Sequence, residues 1–344
     1  MRFPSGRAML HALPVVLRVT AWAFVLAVWA ALLFAYLLPQ DFRNVSEPYI
    51  HFAWLALAIR VIQPHLGLAL IPIALISAFI RGRRLFFAAV IPCLFTLVPW
   101  LLQYAPKEVP VAPAGAAHLK LMTANVMILN DWYVPLIEQV RQNKPDVLLI
   151  QEFSPDWANA LNAELGSEYP HRVLLPSATD GSGLGLYSRF PVRNVSNGIA
   201  PGRAARPQQR VELELSSGRV VALYNLHLKS PRKAADVADG RLAFAELLDA
   251  LAAEQLPFVV AGDCNFPDTA PQHFALRRLG LREAHEQAGQ HRGATWPARG
   301  PLTNVPGLRI DHIYFSGQWT AISCRTGGFT SSDHLPVVAE LAIR

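Results

Sequence analysis

From Val15 to Pro39 the chain reads VVLRVTAWAFVLAVWAALLFAYLLP, with Arg18 as its one charge. About 20 apolar residues in helical form are enough to cross a hydrocarbon layer of roughly 30 Å. A secretory signal has a shorter apolar region and a small-residue cleavage site, which this run lacks. A retained membrane helix is therefore expected, and the rest of the chain has to fold beside it.

Two more apolar runs follow, LGLALIPIALISAFI and LFFAAVIPCLFTLVPWLL, separated by Arg81, Gly82, Arg83 and Arg84. Three spans are the simplest count. The stretch YIHFAWLALAIRVIQ (49–63) is short and carries His51 and Arg60, so it reads as an interfacial or re-entrant piece. Arginine-rich short loops stay cytoplasmic. With Arg2 and Arg7 before the first span and RGRR between the second and third, three spans leave the amino terminus cytoplasmic. The remainder then lies in the periplasm or outside the cell, as expected of a multi-pass protein of a bacterial inner membrane.

The charge of +6 divides unevenly: up to Tyr104 there are eight Arg against two acidic residues, and beyond it 23 basic against 23 acidic. The basic excess belongs to membrane topology, and the later part has no global field for nucleic acid. Two local basic clusters remain there, Arg203, Arg206 and Arg210, and Lys229, Arg232 and Lys233. The three cysteines show no metal-ligand spacing, and a bond between Cys264 and Cys324 is not decided by sequence.

Residues 1–104 are thus expected to be the anchor and 105–117, APKEVPVAPAGAA, an extended linker. Residues 118–344 are enough for one large core. In them strand-like segments (LKLMTANV, PDVLLIQEF, LGLYSR, QRVELELSSGRVVALYNLHL, PFVVAGD, LRIDHIYF, LPVVAELAI) interleave with helix-like ones (WYVPLIEQVRQ, PDWANALNAEL, AADVADGRLAFAELLDALAAE). The expected architecture is an α/β fold, a four-layer sandwich of two packed mixed sheets flanked by helices.

Five of the strands end on groups that an apolar sheet would exclude: Asn125, Glu152, His227, Asp263 with Asn265, and Asp311. Asp333 and His334 open the last strand. Burying such groups costs several kcal/mol each unless they are paired or hold a cation. Convergence on one cation is the economical explanation. Carboxylate and carboxamide oxygens without thiolates suit Mg²⁺ or Mn²⁺ rather than zinc. Asp263 and Asn265, two apart in an extended segment, are expected to project together. His312 alternates away from Asp311, and the remaining histidines, His273 and His285 among them, read as solvated.

The ordered motifs TANV, LIQEF, GLGLYSRFPV, YNLHL, AGDCNFPD, LRIDHIYF and SSDHLPV resemble the endonuclease/exonuclease/phosphatase superfamily of metal-dependent phosphoesterases. The resemblance covers residues 118–344, and the anchor is similar to that of a bacterial subset. It implies Glu152 as principal metal ligand, with Asn125 and Asp333 on the same ion. It implies Asp263 as the group that orients or deprotonates the attacking water, Asn265 as a donor to a phosphate oxygen, His227 and His334 as phosphate-facing histidines, and Asp311 as the carboxylate that fixes His334. Arg189 of SRFP resembles an arginine near the phosphate. The implied activity is divalent-metal-dependent hydrolysis of a phosphodiester or phosphomonoester by direct attack of water. Expected partners are a phosphoester (nucleic acid, phospholipid or soluble) and the lipid bilayer, with no obligate protein partner. A headgroup phosphodiesterase of sphingomyelinase type and a catalytically silent binding domain are the alternatives.

Overall fold

The computed structural model describes residues 6–80, 82–197 and 208–343. The chain forms two compact units, one of residues 1–40 and 52–103 and one of residues 41–51 and 104–344.

The first unit is helical. α1 (Gly6–Leu37) contains a 23-residue apolar stretch, Val15–Leu37; α2 (Glu47–Val61) and α3 (Gln63–Phe79) meet at a 59° bend; α4 (Arg83–Leu102) is 20 residues of high hydropathy. Among the described residues two helices are long and apolar enough to cross a membrane, or three elements if the bent pair is one span. The expected interfacial piece is thus continuous with the expected second span, as two arms of one bent element. Gly67 of α3 lets α4 close in, since a Cβ there would lie 2.2 Å from Thr96 Oγ1. Small residues at such crossings are how apolar helices pack where lipid removes the hydrophobic drive.

Among the described residues the second unit holds twelve strands in two six-stranded sheets. One has the order β11 (Trp319–Thr326), β12 (Val337–Ile343), β1 (Ala117–Asn125), β2 (Val147–Gln151), β4 (Leu184–Ser188), β3 (His171–Leu175). The other has β5 (Val192–Asn197), β6 (Gln209–Glu214), β7 (Val220–His227), β8 (Phe258–Asp263), β10 (Asp311–Phe315), β9 (Arg282–Glu283). Each has one central parallel pair, β1 with β2 and β7 with β8, between antiparallel neighbours. This is the expected sandwich: α5 (Val134–Asn143) and α6 (Pro155–Leu165) cover the first sheet, burying Leu136, Val140, Trp157 and Leu161 on Met122, Leu148 and Ile150. α7 (Ala234–Ala253) buries Phe244, Leu247 and Leu251.

Strand alternation builds the layer between the sheets. Leu119 and Leu121 of β1, Val147 and Leu149 of β2, Val221 and Leu223 of β7, Val259 and Ala261 of β8, and Ile313 and Phe315 of β10 form one core. Continued by steps of two, these rows reach Thr123 and Asn125, Gln151, Asn225 and His227, Asp263, and Asp311. The inner face therefore grades from aliphatic, through amides and a hydroxyl, to ionisable groups. Gln151 Nε2 donates to Asn225 Oδ1 at 2.7 Å across the sandwich and to Thr123 Oγ1 at 3.0 Å. Asn225 Nδ2 faces Gly185 O at 3.1 Å and Gln209 Oε1 at 3.2 Å. This amide layer closes the core against the polar end.

Residues 41–51 belong to the second unit. Phe42 meets Phe244 edge to face at 4.8 Å between ring centres, and the buried Arg241 lies 4.8 Å from the Phe42 ring and 5.1 Å from that of Tyr49. Arg241 donates to Tyr49 Oη at 2.8 Å and to the Asp41 carbonyl, and Arg43 pairs with Asp249. In the segment expected to be a linker, Lys107 donates to the carbonyl of His285.

Candidate active site

The two parallel pairs end at one level. Asn125 stands opposite Gln151 and His227 opposite Asp263, which in turn faces Asp311 across β10. Each pair thus delivers a donor and a carboxylate to the same edge, Asn125 with Glu152 and His227 with Asp263.

Backbone strain aims several of these groups. By strand parity Glu152 should face the helices, but its φ of 57° turns the chain left-handed and carries it to the inner side. Asn265, at φ 51°, is also left-handed, so it adjoins Asp263 through a turn and not through the extended alternation expected. Met127 and Ser331 share the conformation. Strain of this kind persists only where surrounding contacts over-determine it, and it gathers at functional sites. Gly262 has a different reason to be glycine: a Cβ there would stand 2.0 Å from the Leu226 carbonyl, so a side chain would push β8 off β7 just before Asp263.

The side chains form one connected cluster. Asn125 Nδ2 lies 2.9 Å from Asp263 Oδ2 and 3.2 Å from Glu152 Oε1, while its Oδ1 accepts from Met127 N–H at 2.9 Å. Glu152 Oε2 accepts from Ile128 N–H at 2.9 Å. Asp263 Oδ1 accepts from Asn265 N–H at 2.9 Å, and its Oδ2 from Asn265 Nδ2 at 3.0 Å. His227 Nε2 is 3.5 Å from Asp263 Oδ2 and 3.9 Å from Glu152 Oε1. His334 Nδ1 bonds Asp311 Oδ2 at 2.8 Å and turns Nε2 toward Asp263, 3.8 Å away.

Burial pushes the Asp263 carboxyl up to about 7, with Asp311 adding to the effect and His334 opposing it. Burial alone would lower His334, but Asp311 and Asp263 outweigh it and raise the imidazole to about 10. The cluster therefore holds a proton between buried carboxylates and an imidazole, as acid–base chemistry near neutral pH requires.

A divalent cation fits this edge. The Glu152 carboxylate offers oxygen donors of the kind Mg²⁺ and Mn²⁺ take, while Asn125 turns its Nδ2 to Glu152 and Asp263 and its Oδ1 to Met127 N–H. Gly181, at φ 63°, lies alongside the Glu152 carboxylate, where a Cβ would stand in van der Waals contact with Glu152 Cδ at 3.4 Å. Ligand atoms of Asp263, Asp311 and His334 also lie within 4.8 Å of one another. The hydrogen bond between His334 and Asp311 occupies that pair, so the Glu152 side is the better cation seat.

Of the residues singled out from sequence, Asn125, Glu152, His227, Asp263, Asn265, Asp311 and His334 come together. Asp333 is adjacent, its Oδ2 accepting from Trp296 Nε1 at 3.3 Å. Arg189 is elsewhere: β4 runs antiparallel to β2, so Leu184 faces Gln151 and Ser188 faces Val147. Arg189 then sits beyond the opposite end, more than ~13 Å along the strand, where its N–H donates to the Asp146 carbonyl and its guanidinium lies over Tyr169. The basic residues Arg203 and Arg206 lie outside the described residues. Arg210 is paired with Glu254, and Lys229 with Asp236 and Asp239.

Sequence reasoning missed the amide layer, although Asn225 lies two residues before His227 and so shares its face. It also misplaced two histidines. His273 and His285 are buried, and His285 Nδ1 pairs with Arg309, which holds Asp268 Oδ2 at 3.1 Å. His312 does face away from the cluster, its ring stacked on Phe266 and its Nε2 at 3.0 Å from the Phe266 carbonyl. Cys264 and Cys324 are free, buried thiols.

Comparison with known proteins agrees with this fold. No curated protein matches the sequence. Among solved structures, an endonuclease/exonuclease/phosphatase family protein from Bacteroides thetaiotaomicron superposes with a TM-score of 0.56 at 18% identity, over 67% of this chain and 99% of that one. D. rerio TDP2 complexed with single strand DNA product gives 0.55 at 18%, over 65% and 98%. The mannosyl-6-phosphatase Bt3783 of B. thetaiotaomicron gives 0.53 at 19%, over 65% and 99%. At these identities the likeness shows a shared fold. The model of the Endonuclease/Exonuclease/phosphatase family matches residues 122–334, from the middle of β1 to His334, so the chain belongs to that family and is a hydrolase acting on phosphoester bonds.

Proposed function

We propose that the chain is a membrane-anchored, divalent-metal-dependent phosphoesterase that cleaves its substrate by direct attack of water. The observation that carries this reading is the single amide of Asn125 touching both Glu152 and Asp263, which joins a cation seat to a base. Glu152 would hold Mg²⁺ or Mn²⁺, with Asn125 Oδ1 joining it by a turn of the amide and Asp333 by leaving Trp296, and the ion when bound neutralises charge on the phosphoryl oxygens. Asp263 orients the water and takes its proton. The two donors of Asn265 hold the carboxylate, so its accepting lone pairs are fixed before substrate arrives. His334, kept cationic by Asp311, and His227 offer N–H groups to developing oxyanion charge. The intact set argues against a silent binding domain.

Membrane anchoring draws support from the two apolar helices. A cytoplasmic amino terminus, with the domain in the periplasm or outside the cell, draws support from the arginines before α1 and between α3 and α4, if the bent pair α2–α3 crosses once.

The test is hydrolysis of DNA, RNA, phospholipid and an aryl phosphodiester by the full chain, with Mg²⁺ and with chelator. Parent-level rates from Glu152→Ala on all four would remove the metal assignment. A carboxyl-terminal reporter active only in the cytoplasm would remove the topology.

A further inference from the structure

Large apolar side chains stand in the open on two loops that adjoin the cluster of Asn125, Glu152 and His334. Leu129 is 87% exposed and Trp132 62%, both on the loop that leaves β1 directly after Asn125; Phe329 is 51% exposed on the loop that ends at Asp333 and His334. Neither loop is free to fold these groups inward. Ile128 N–H is bonded to Glu152, and the buried Asn130, between Leu129 and Trp132, accepts from Trp132 N–H at 3.1 Å. Asn130 Nδ2 bonds the Val126 carbonyl at 3.2 Å and reaches that of Thr330 at 3.5 Å, tying the two loops together. The apolar groups are thus held outward by a buried amide.

Cations share the rim. Arg232 and Lys233 are exposed on the loop after His227, and the exposed Arg299 donates to the Ser331 carbonyl at 3.3 Å. Asp131 is the one acidic residue between Leu129 and Trp132. Exposed apolar patches on soluble surfaces mark interaction sites. A Trp, a Phe and a Leu combined with Lys and Arg match the boundary of an anionic bilayer, where aromatic rings settle at headgroup depth and each cation adds attraction. The same chain carries helices apolar enough to enter such a bilayer.

We propose that this rim docks the catalytic cleft onto an anionic lipid surface, with Leu129, Trp132 and Phe329 entering the headgroup boundary, and that the substrate is a phosphoester carried on a lipid. The proposal rests on the phosphoesterase and membrane readings above and names their substrate class.

The test uses the full chain with Cys93 replaced by Ala, reconstituted in vesicles of phosphatidylglycerol and phosphatidylcholine. An environment-sensitive nitrobenzoxadiazole label is placed by Leu129→Cys, or by Ser217→Cys in the turn between β6 and β7 as reference. Doxyl-lipid quenching at least threefold stronger at 129 than at 217, weakened in pure phosphatidylcholine, is expected. Equal quenching at the two positions, or a shift at 129 produced by a single-stranded oligonucleotide and not by vesicles, would overturn the proposal. Trp132→Ser with Phe329→Ser should lower the ratio of lipid to aryl phosphodiester hydrolysis at least tenfold, and an unchanged ratio would also overturn it. A parent chain that hydrolyses no phosphoester would sink the enzymatic reading, while the quenching would still decide the docking.

Discussion

Replacing Asp311 by Asn tests whether the His334–Asp311 pair works as a unit. The bond between them is 2.8 Å long, and both residues are buried, so water cannot substitute for the lost carboxylate. A hydrogen bond to a charged group contributes about 1.5–3 kcal/mol. At about 1.4 kcal/mol per tenfold in rate, its loss lowers kcat roughly 10- to 100-fold. The effect should appear in kcat more than in KM, because a misaligned or neutral His334 fails mainly toward charge that develops in the transition state. The assay is steady-state hydrolysis of bis(p-nitrophenyl) phosphate by the full chain in detergent with Mg²⁺, alongside circular dichroism of both proteins. Arg189→Ala is the internal reference, since Arg189 lies at the far end of the sheet; its kcat should stay within about twofold of the parent. A normally folded Asp311→Asn protein with kcat within threefold of the parent would refute the reasoning, and so would an Arg189→Ala protein that fell as far.

Three other perturbations test other parts of the structure. Asn225→Leu takes from Gln151 Nε2 one of its two partners and from Gln209 Oε1 its donor in the layer between the sheets, at ~1–3 kcal/mol for each buried group. Thermal melts should fall by about 5–15 °C; a shift under 2 °C would show the layer to be dispensable. Chelator should abolish hydrolysis by the parent, and Glu152→Gln should raise the Mg²⁺ concentration for half-maximal rate at least tenfold, measured by titrating Mg²⁺ into each. Burial, helped by Arg309 and Lys107, holds His285 down to about 4, against an ordinary 6.5. On acidification the unfolded chain takes up this proton near pH 6.5 and the folded one only near 4, so stability drops across that window by up to ~3 kcal/mol. Urea titrations from pH 7.5 to 4.5 should show this slope in the parent and a flatter one in His285→Gln.

Much of the site could be read from residue type and parity. Asn125, His227, Asp263 and Asp311 continue inner rows that begin with Leu119, Val221, Val259 and Phe315, and a polar group ending an apolar row has few reasons to exist. Where the chain leaves extended geometry, parity fails. Glu152 reaches the site through a left-handed residue, and only tertiary contacts decide that. Arg189 shows the reverse error: its motif identifies a strand end without telling which edge of the sheet that end joins, and the antiparallel pairing with β2 sends it away. His285 looks solvated in sequence because its neighbours Glu283, Glu286 and Arg292 are charged, yet those charges come from a network whose other member, Arg309, is distant in the chain. The docking of Phe42 on Phe244 had no local signal at all, since an apolar residue after a membrane helix reads as part of its boundary.

That docking bears on how the protein is made. Phe42 leaves the ribosome about 200 residues before Phe244, which at roughly 5–20 residues per second is a wait of some 10–40 s. Until α7 arrives, the Phe42 ring lacks the partner it has in the folded protein, and the enzyme's fold stays incomplete. Maturation of the hydrolase is therefore bound to a segment that precedes α7 by about 200 residues, and a chain cut at the Pro/Ala segment would leave the Phe244 ring and the Arg241 guanidinium facing water where the protein provides them a cover.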